Sequence, residues 1–391
     1  MLILLMLLIP FSVHIWGISI DLLARFRPEA KSAAPVGKDF QFTVLIPAHN
    51  EEIRIAGILE SLARQTYRSF EVYVIADCCT DDTVKIASGF PEIKILEKAS
   101  APTCKGDALN YALDVLGKQL GDAVVILDAD CTVNPEFLEK LNAQYRTGSK
   151  AVMADTDILN PYESIVTAWY TIYWKMVSEM SRKAHARLKL SGNLCGCGMS
   201  FRREYLRRTV TITEDVEYFM ALGCDGIRID YANDAKVYQE QPVTLRDMFG
   251  QLYRWVNGVR SVNKLYIKPY LQSLFREFSL LKLDAFMTAQ TCSAYGALMI
   301  MMMIMLAAGL LCAPWILPGL AAVFAVMWLI VLCIGITVTR RCKLDHRIMA
   351  AAVPTYCVFL AAMGLVYIYA IIRPGNRWIS VNRSKRNERE N

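Results

Sequence analysis

Two apolar blocks at the ends of the chain, with a charged stretch between them, restrict the fold before any motif is read. Met1 to Leu23 is almost unbroken apolar sequence, with Pro10 as a kink and Asp21 and Arg25 marking its exit. Three further apolar runs follow late in the chain, at Phe286–Leu311, Leu317–Val338 and Ile348–Ile372. Each reaches the ~20 residues needed to cross hydrocarbon. Hydrophobic residues make up 54% of the chain and mean hydropathy is +0.28, too apolar for a purely soluble protein. The first run has no basic leader and no small-residue cleavage site, so it is expected to remain as an anchor.

Basic residues follow the first run (Arg25, Arg27, Lys31) and sit between the last two (Arg340, Arg341, Lys343, Arg347). The positive-inside rule then places the charged middle in the cytoplasm of a multi-pass protein of the inner or plasma membrane. Four crossings would leave the basic tail, 373–391, on the outside, against the same rule. Either a span is re-entrant or miscounted, or the tail is an exception to the rule. The net charge of +6 is modest and partly juxtamembrane, suited to anionic lipid head groups. No basic-aromatic patch of a nucleic-acid module is present. The twelve cysteines lack disulfide or zinc spacing and read as reduced thiols.

The middle, 38–243, has a βα rhythm. Phe42–Pro47 is a short apolar run ending in a breaker, as a buried parallel strand requires. Ile55, Ile58, Leu59 and Leu62 then recur at helical spacing. The alternation continues through strand Phe70–Ala76, helix Asp82–Ser88, strand Ile93–Leu96, helix Asp107–Leu116, strand Ala123–Leu127 and helix Pro135–Tyr145. The expected fold class is α/β, a mostly parallel sheet with helices on both faces, plus transmembrane helices. Ligands of such sheets bind beyond the carboxyl ends of the strands. No Walker-type loop and no Gly-x-Gly-x-x-Gly follows the first strand, so any phosphate must be held by metal and side chains.

The acidic groups stand where those strands end. Asp128 and Asp130 flank one residue, without Cys or His, which suits a hard cation such as Mg²⁺ or Mn²⁺ sharing phosphate ligands. A solvated loop capping the next helix is the plainer alternative. Asp77 follows the second strand and could meet a base or ribose. Asp81 and Asp82 read as caps of the following helix. Lys105 opens a helix and either meets phosphate or faces solvent. Thr213-Glu214-Asp215 precedes an apolar helical pattern; Glu214 reads as a helix-start acid, while Asp215 could take a hydroxyl proton. Gln251, Arg254 and Trp255 share one face of a helix. That segment, 244–282, carries an apolar stripe through Leu245, Met248, Phe249, Leu252, Trp255, Val256, Val259 and Val262, expected of interface helices. Arg254 could pair with diphosphate and Trp255 stack on an acceptor sugar, or both could simply anchor in lipid.

In this order the motifs resemble the membrane-integrated glycosyltransferase family 2, which includes cellulose, chitin, hyaluronan and poly-N-acetylglucosamine synthases. The matching residues are Ile46-Pro47-Ala48-His49-Asn50-Glu51-Glu52, Asp77, Lys105-Gly106 with Ala108-Leu109-Asn110, Asp128-x-Asp130, Thr213-Glu214-Asp215 and Gln251-x-x-Arg254-Trp255. The resemblance covers roughly 42–258. It implies a GT-A-type domain, a divalent cation (Mg²⁺ or Mn²⁺) and inversion by single displacement. Asp215 would be the catalytic base and Asp130 the metal ligand. Asp77, Lys105, Asp128, Gln251 and Arg254 would bind the nucleotide sugar. Trp255, Glu214 and Gly198, in a segment resembling the family's acceptor site, would contact the acceptor. The expected product is a β-linked polysaccharide from a UDP-sugar. Four spans are fewer than polymer-secreting relatives have, so export would need a second copy or an accessory subunit. Single transfer to a lipid is the alternative, and a transporter or scaffold with a degenerate domain is the rival outside catalysis.

Overall fold

The computed structural model describes residues 2–27, 37–100 and 104–375; the basic tail beyond 375 and most of the linker after the anchor lie outside them. Helix α1 (Leu2–Arg25) leads into a βα series. It runs β1 (Phe42–Ala48), α2 (Ile55–Ala63), β2 (Phe70–Asp77), α3 (Thr83–Ser88), β3 (Ile93–Lys98), α4 (Lys105–Leu116), β4 (Ala123–Ile126), β5 (Cys131–Val133) and α5 (Phe137–Arg146). The second half adds β6 (Ala151–Ile158), α6 (Ile165–Met176), a π-helical turn at Val177–Arg182, α7 (Lys183–Arg187), β7 (Met199–Arg202), α8 (Glu214–Cys224) and β8 (Ile229–Gln239).

The eight strands among the described residues form one sheet in the order β3-β2-β1-β4-β7-β6-β8-β5. Strands β3, β2, β1 and β4 pair in parallel; β1 and β4 carry the apolar, two-sided pattern of a covered sheet, while the edge strand β3 mixes apolar with charged residues. Phe42, Val44 and Ile46 enter one core and Leu45 the other, so β1 is covered on both faces. Beyond β4 the sheet turns mixed. β7 is antiparallel to both β4 and β6, β6 runs parallel to β8, and β5 is antiparallel to β8. The register of β6 on β8 shifts between Ala154 and Asp155, a local irregularity that bends the sheet.

After the sheet come α9 (Leu245–Arg276), α10 (Leu280–Ala289), α11 (Thr291–Leu311), α12 (Leu317–Arg341) and α13 (His346–Ile372). Helix α9 starts where Thr244 Oγ1 accepts the Asp247 N–H at 3.1 Å. Its stripe is buried at Met248, Leu252, Val256, Val259 and Val262, whereas Leu245 and Phe249 stay exposed. The first of the three late apolar runs, expected from Phe286, begins later, at Thr291. Phe286 belongs to α10, and Gln290 breaks the chain there, held to α9 by a reciprocal amide pair with Asn263 at 3.1 and 3.2 Å. Among the described residues, three helices, Thr291–Leu311, Pro314–Arg341 and Met349–Ile372, are long and apolar enough to cross a membrane.

The last of these returns to the sheet domain along its whole length. Before its start, the Asp345 N–H donates to Tyr162 at 3.0 Å. In its middle, Trp169 Nε1 donates to Thr355 Oγ1 at 3.1 Å, and Tyr170 meets Phe359 edge-on. At its end, Tyr253 donates to the Arg373 carbonyl at 2.5 Å, and Arg260 to that of Ala370. Met349, Ala352, Tyr356, Phe359, Met363 and Val366 form the buried stripe that seats it. With both ends against domain elements, α13 is expected to leave the tail on the domain's side of the membrane. A reporter fused after Asn391 checks this, giving the same sidedness as one inserted in the exposed loop at Gly148; opposite sidedness would mean a full crossing.

Candidate functional site

The carboxyl ends of the parallel strands deliver the acidic groups to one place. Asp77 closes β2, and Asp128 stands two residues past β4, with Asp130 just before β5. Across from them, α8 opens with Glu214 and Asp215, and α9 contributes Gln251, Arg254 and Trp255. All of these, with Lys105 at the start of α4, line a single cavity of about 1630 Å³. Residues separated by up to 178 positions in the sequence, from Asp77 to Trp255, thus share one space.

Lys105 ties the strand side to the helix side. Its Nζ lies 2.5 Å from Asp128 Oδ1, 2.9 Å from Glu214 Oε1, and donates to the Gly196 carbonyl at 2.5 Å. Glu214 is therefore more than a helix-start acid: it is buried and ion-paired. Asp77 is also buried, neutralised by Lys98 Nζ at 2.8 Å, which reaches Asp107 at 2.9 Å. Of the two residues read as caps, Asp81 acts as one, its Oδ1 accepting from the Thr83 N–H and hydroxyl at 3.1 and 2.5 Å. Asp82 makes no capping bond.

Gly198 lies elsewhere than expected. It has φ +83°, its N–H donates to the Ile126 carbonyl at 2.9 Å, and a Cβ there would stand 2.7 Å from Val237. It is a sheet-packing glycine set behind the wall, and Cys195 and Gly196 are the neighbours that face the cavity. The 193–196 segment is held from beneath by fully buried Arg182, which donates to Asn193 Oδ1 and Thr156 Oγ1, both at 3.1 Å. A second glycine matters for the opposite wall. At Gly258 a Cβ would fall 2.1 Å from Thr213, so its absence lets α9 close on the start of α8.

Among the described residues no cluster of three His, Cys, Asp or Glu side chains could hold a metal alone. Asp128 and Asp130 still suit a hard cation that keeps several ligands from water and substrate phosphate, since such ions use one or two carboxylates. Asp128 is engaged by Lys105, and Asp130 lines the same cavity as a second carboxylate that could hold such an ion.

A sequence profile of the glycosyltransferase like family 2 matches residues 40–258, more than half of the chain. The chain belongs to that family. It is 23% identical over 249 residues to the probable glycosyltransferase YdaM of Bacillus subtilis (strain 168), covering 60% of this chain and 58% of that protein. It is 25% identical over 230 residues to the poly-beta-1,6-N-acetyl-D-glucosamine synthase of Staphylococcus aureus (strain COL), covering 56% and 55%. The chain thus spans somewhat over half the length of these relatives. Among solved structures, the mannosyltransferase PcManGT from Pyrobaculum calidifontis, in complex with GDP-Man and Mn²⁺, superposes with a TM-score of 0.58 at 18% identity. That match covers 93% of this chain and 99% of that one. The fold is shared: a GT-A-like mixed sheet with its helices.

Within this family 2 site the charges shift one another. Burial lowers the readiness of Lys105 to hold its proton, but Asp128 and Glu214 outweigh it and keep the ammonium charged well above the ordinary lysine range. Burial, with Glu214 adding to it, pushes Asp215 up to about 7, against the opposing pull of the Val216 N–H and Lys105. Burial also lowers Arg254, with Asp128, Glu214 and Asp215 opposing the change. Arg254 makes no hydrogen bond or ion pair among the described residues. A half-buried, cavity-facing guanidinium of this kind suits an anion.

Sequence reasoning passed over the wall contributed by α6. Tyr173 and Trp174 line the cavity and pack around Trp255 at 6.1 Å each, with Tyr170 edge-on to it at 6.2 Å. The signal was present, four aromatics within Trp169–Trp174, but its partners lie some eighty residues away.

Proposed function

We propose that this protein transfers a sugar, with inversion, from a nucleoside diphosphate-sugar to an acceptor hydroxyl at the membrane surface. The observation that carries the reading is the convergence of Lys105, Asp128, Asp130, Asp215 and Arg254 on one cavity. A hard cation at Asp130 would supply charge neutralisation of the diphosphate. Arg254 approaches that diphosphate from α9, and Asp77, held by Lys98, stands at the base and ribose end. Lys105 holds Asp128 and Glu214 as a fixed ion-paired wall. Asp215 takes the proton of the attacking hydroxyl; a carboxyl pushed up to about 7 is a stronger base than an ordinary aspartate. Trp255, among Tyr170, Tyr173 and Trp174, offers an aromatic platform to the acceptor.

UDP-sugars are the preferred donors, and the sequence expectation of a growing β-linked polysaccharide as acceptor stands as one reading. A second reading, single transfer to a lipid, is favoured by the apolar walls described below. Purified protein incubated with UDP-glucose, UDP-N-acetylglucosamine, UDP-galactose or GDP-mannose and Mn²⁺ or Mg²⁺ tests the core of the proposal. One donor is expected to release its nucleoside diphosphate, and to stop doing so in EDTA. Absence of release and of nucleotide binding with all four would contradict it.

A further inference from the structure

The cavity does not end at the carboxylates. It continues into the helical block between α1, α11, α12 and α13, and its wall changes chemistry there. Leu298 and Met302 of α11, Phe324 and Val331 of α12, and Val358 and Met363 of α13 typify that lining. Among the described residues α11, α12 and α13 contribute no Asp, Glu, Lys, Arg, Asn or Gln to it, while α1 adds His14 and Asp21, the latter paired with Arg25. On α11 the lining runs from Thr291 to Met302, about 16 Å of helix at 1.5 Å per residue. That is about half of the ~30 Å hydrocarbon core, or the depth of one leaflet.

We propose that the acceptor is a membrane lipid bearing a free hydroxyl, its hydrocarbon chain held in this chamber and its head presented to Asp215. This rests on the glycosyltransferase reading above and names its acceptor. A sugar polymer threaded here would leave most of its hydroxyls without partners, each at a cost of roughly 1–3 kcal/mol on protein scales. A hydrocarbon chain has no such demand. The head-group end is chemically different. Gln251 is buried in the cavity wall, and its Oε1 has no hydrogen-bond partner among the described residues. It is an acceptor waiting for a hydroxyl donor. The charge pattern selects further: Lys105 is already engaged by Asp128 and Glu214, so it offers no free charge to an anionic head. A lipid phosphate also carries no proton that a base need remove at neutral pH, whereas a neutral hydroxyl does.

The step balances without another reactant. The lipid oxygen forms the new bond to the anomeric carbon, and the bond from that carbon to the phosphate oxygen breaks. The electron pair leaves on the nucleoside diphosphate, and the hydroxyl proton passes to Asp215.

The test uses the full chain in vesicles, the radiolabelled donor selected by the screen above, and three acceptors: diacylglycerol, a polyprenyl phosphate and an oligosaccharide. With diacylglycerol, label is expected to move into the organic phase as one species. The chamber-filling variant Ala361→Trp, checked as a monodisperse species, is expected to lower that transfer at least about tenfold, as loss of a buried chain site implies. A water-soluble ladder formed without lipid hydroxyls, preference for the polyprenyl phosphate, or undiminished transfer by Ala361→Trp would overturn the proposal while leaving glycosyl transfer intact. No nucleotide binding and no donor turnover with any acceptor would instead refute the underlying reading, and this one with it.

Discussion

Asp215→Asn is expected to lower sugar transfer by roughly 10²–10⁴-fold, the range for loss of a positioned general base, while nucleotide binding persists. Asparagine keeps the size of the side chain and its place at the start of α8, so only proton acceptance is lost. The wild-type pH profile follows from the same group. Burial and Glu214 push its carboxyl up to about 7, and the deprotonated form is the base. Transfer per unit enzyme should therefore fall as pH drops below about 7, with a limiting slope of one, and level off above it. The variant's residual rate should lack that limb. Single-turnover rates across pH 5.5–8.5, beside nucleotide binding by calorimetry, check both statements. A variant with wild-type rate and profile would remove Asp215 from the chemistry.

Lys105→Met should have the second largest effect, and it should reach stability as well as activity. The ammonium is the shared partner of Asp128 and Glu214 and a donor to the Gly196 carbonyl. Removing one member of this partly buried cluster leaves the others uncompensated, at a cost below the ~3–5 kcal/mol typical of a fully buried pair, because Lys105 and Asp128 keep some solvent contact. The folded protein should melt at a lower temperature, and donor affinity should fall as the strand side and helix side lose their link. With less positive charge nearby, the Asp215 carboxyl should titrate at higher pH, moving the acid limb of the residual activity upward. Lys105→Arg, which keeps the charge, should recover part of the stability. Unchanged melting and turnover in the methionine variant would mean that the cluster is incidental.

The extent to which sequence anticipated this molecule tracks how local each signal is. β1 to α5 are legible because each apolar run or helical stripe is complete within one element. The mixed half of the sheet is not: β5 has three residues, and β8 alternates buried with polar positions around Asp234 and Lys236. Lys236 is there because it pairs with Asp155 of β6, a tertiary fact. The site divides the same way. Ordered motifs mark Asp77, Asp128, Asp130, Asp215 and Gln251–Trp255, but the three-way engagement of Lys105 and the burial of Glu214 appear only when α4, α8 and the 193–196 segment meet. Gly198 is tied to the acceptor site only by the resemblance of its segment, which cannot report that a Cβ there would meet Val237 within the sheet. Hydropathy marks α13 as long and apolar enough to span, yet it cannot report that both its ends rest against the domain.

The most direct measurement is a structure of the full chain with UDP and Mn²⁺. On this account the ion sits against the Asp130 carboxylate, the diphosphate lies between it and Arg254, and Asp215 faces the vacant side where an acceptor would stand. Nucleotide bound away from these carboxylates, or Asp215 turned from the diphosphate, would contradict it.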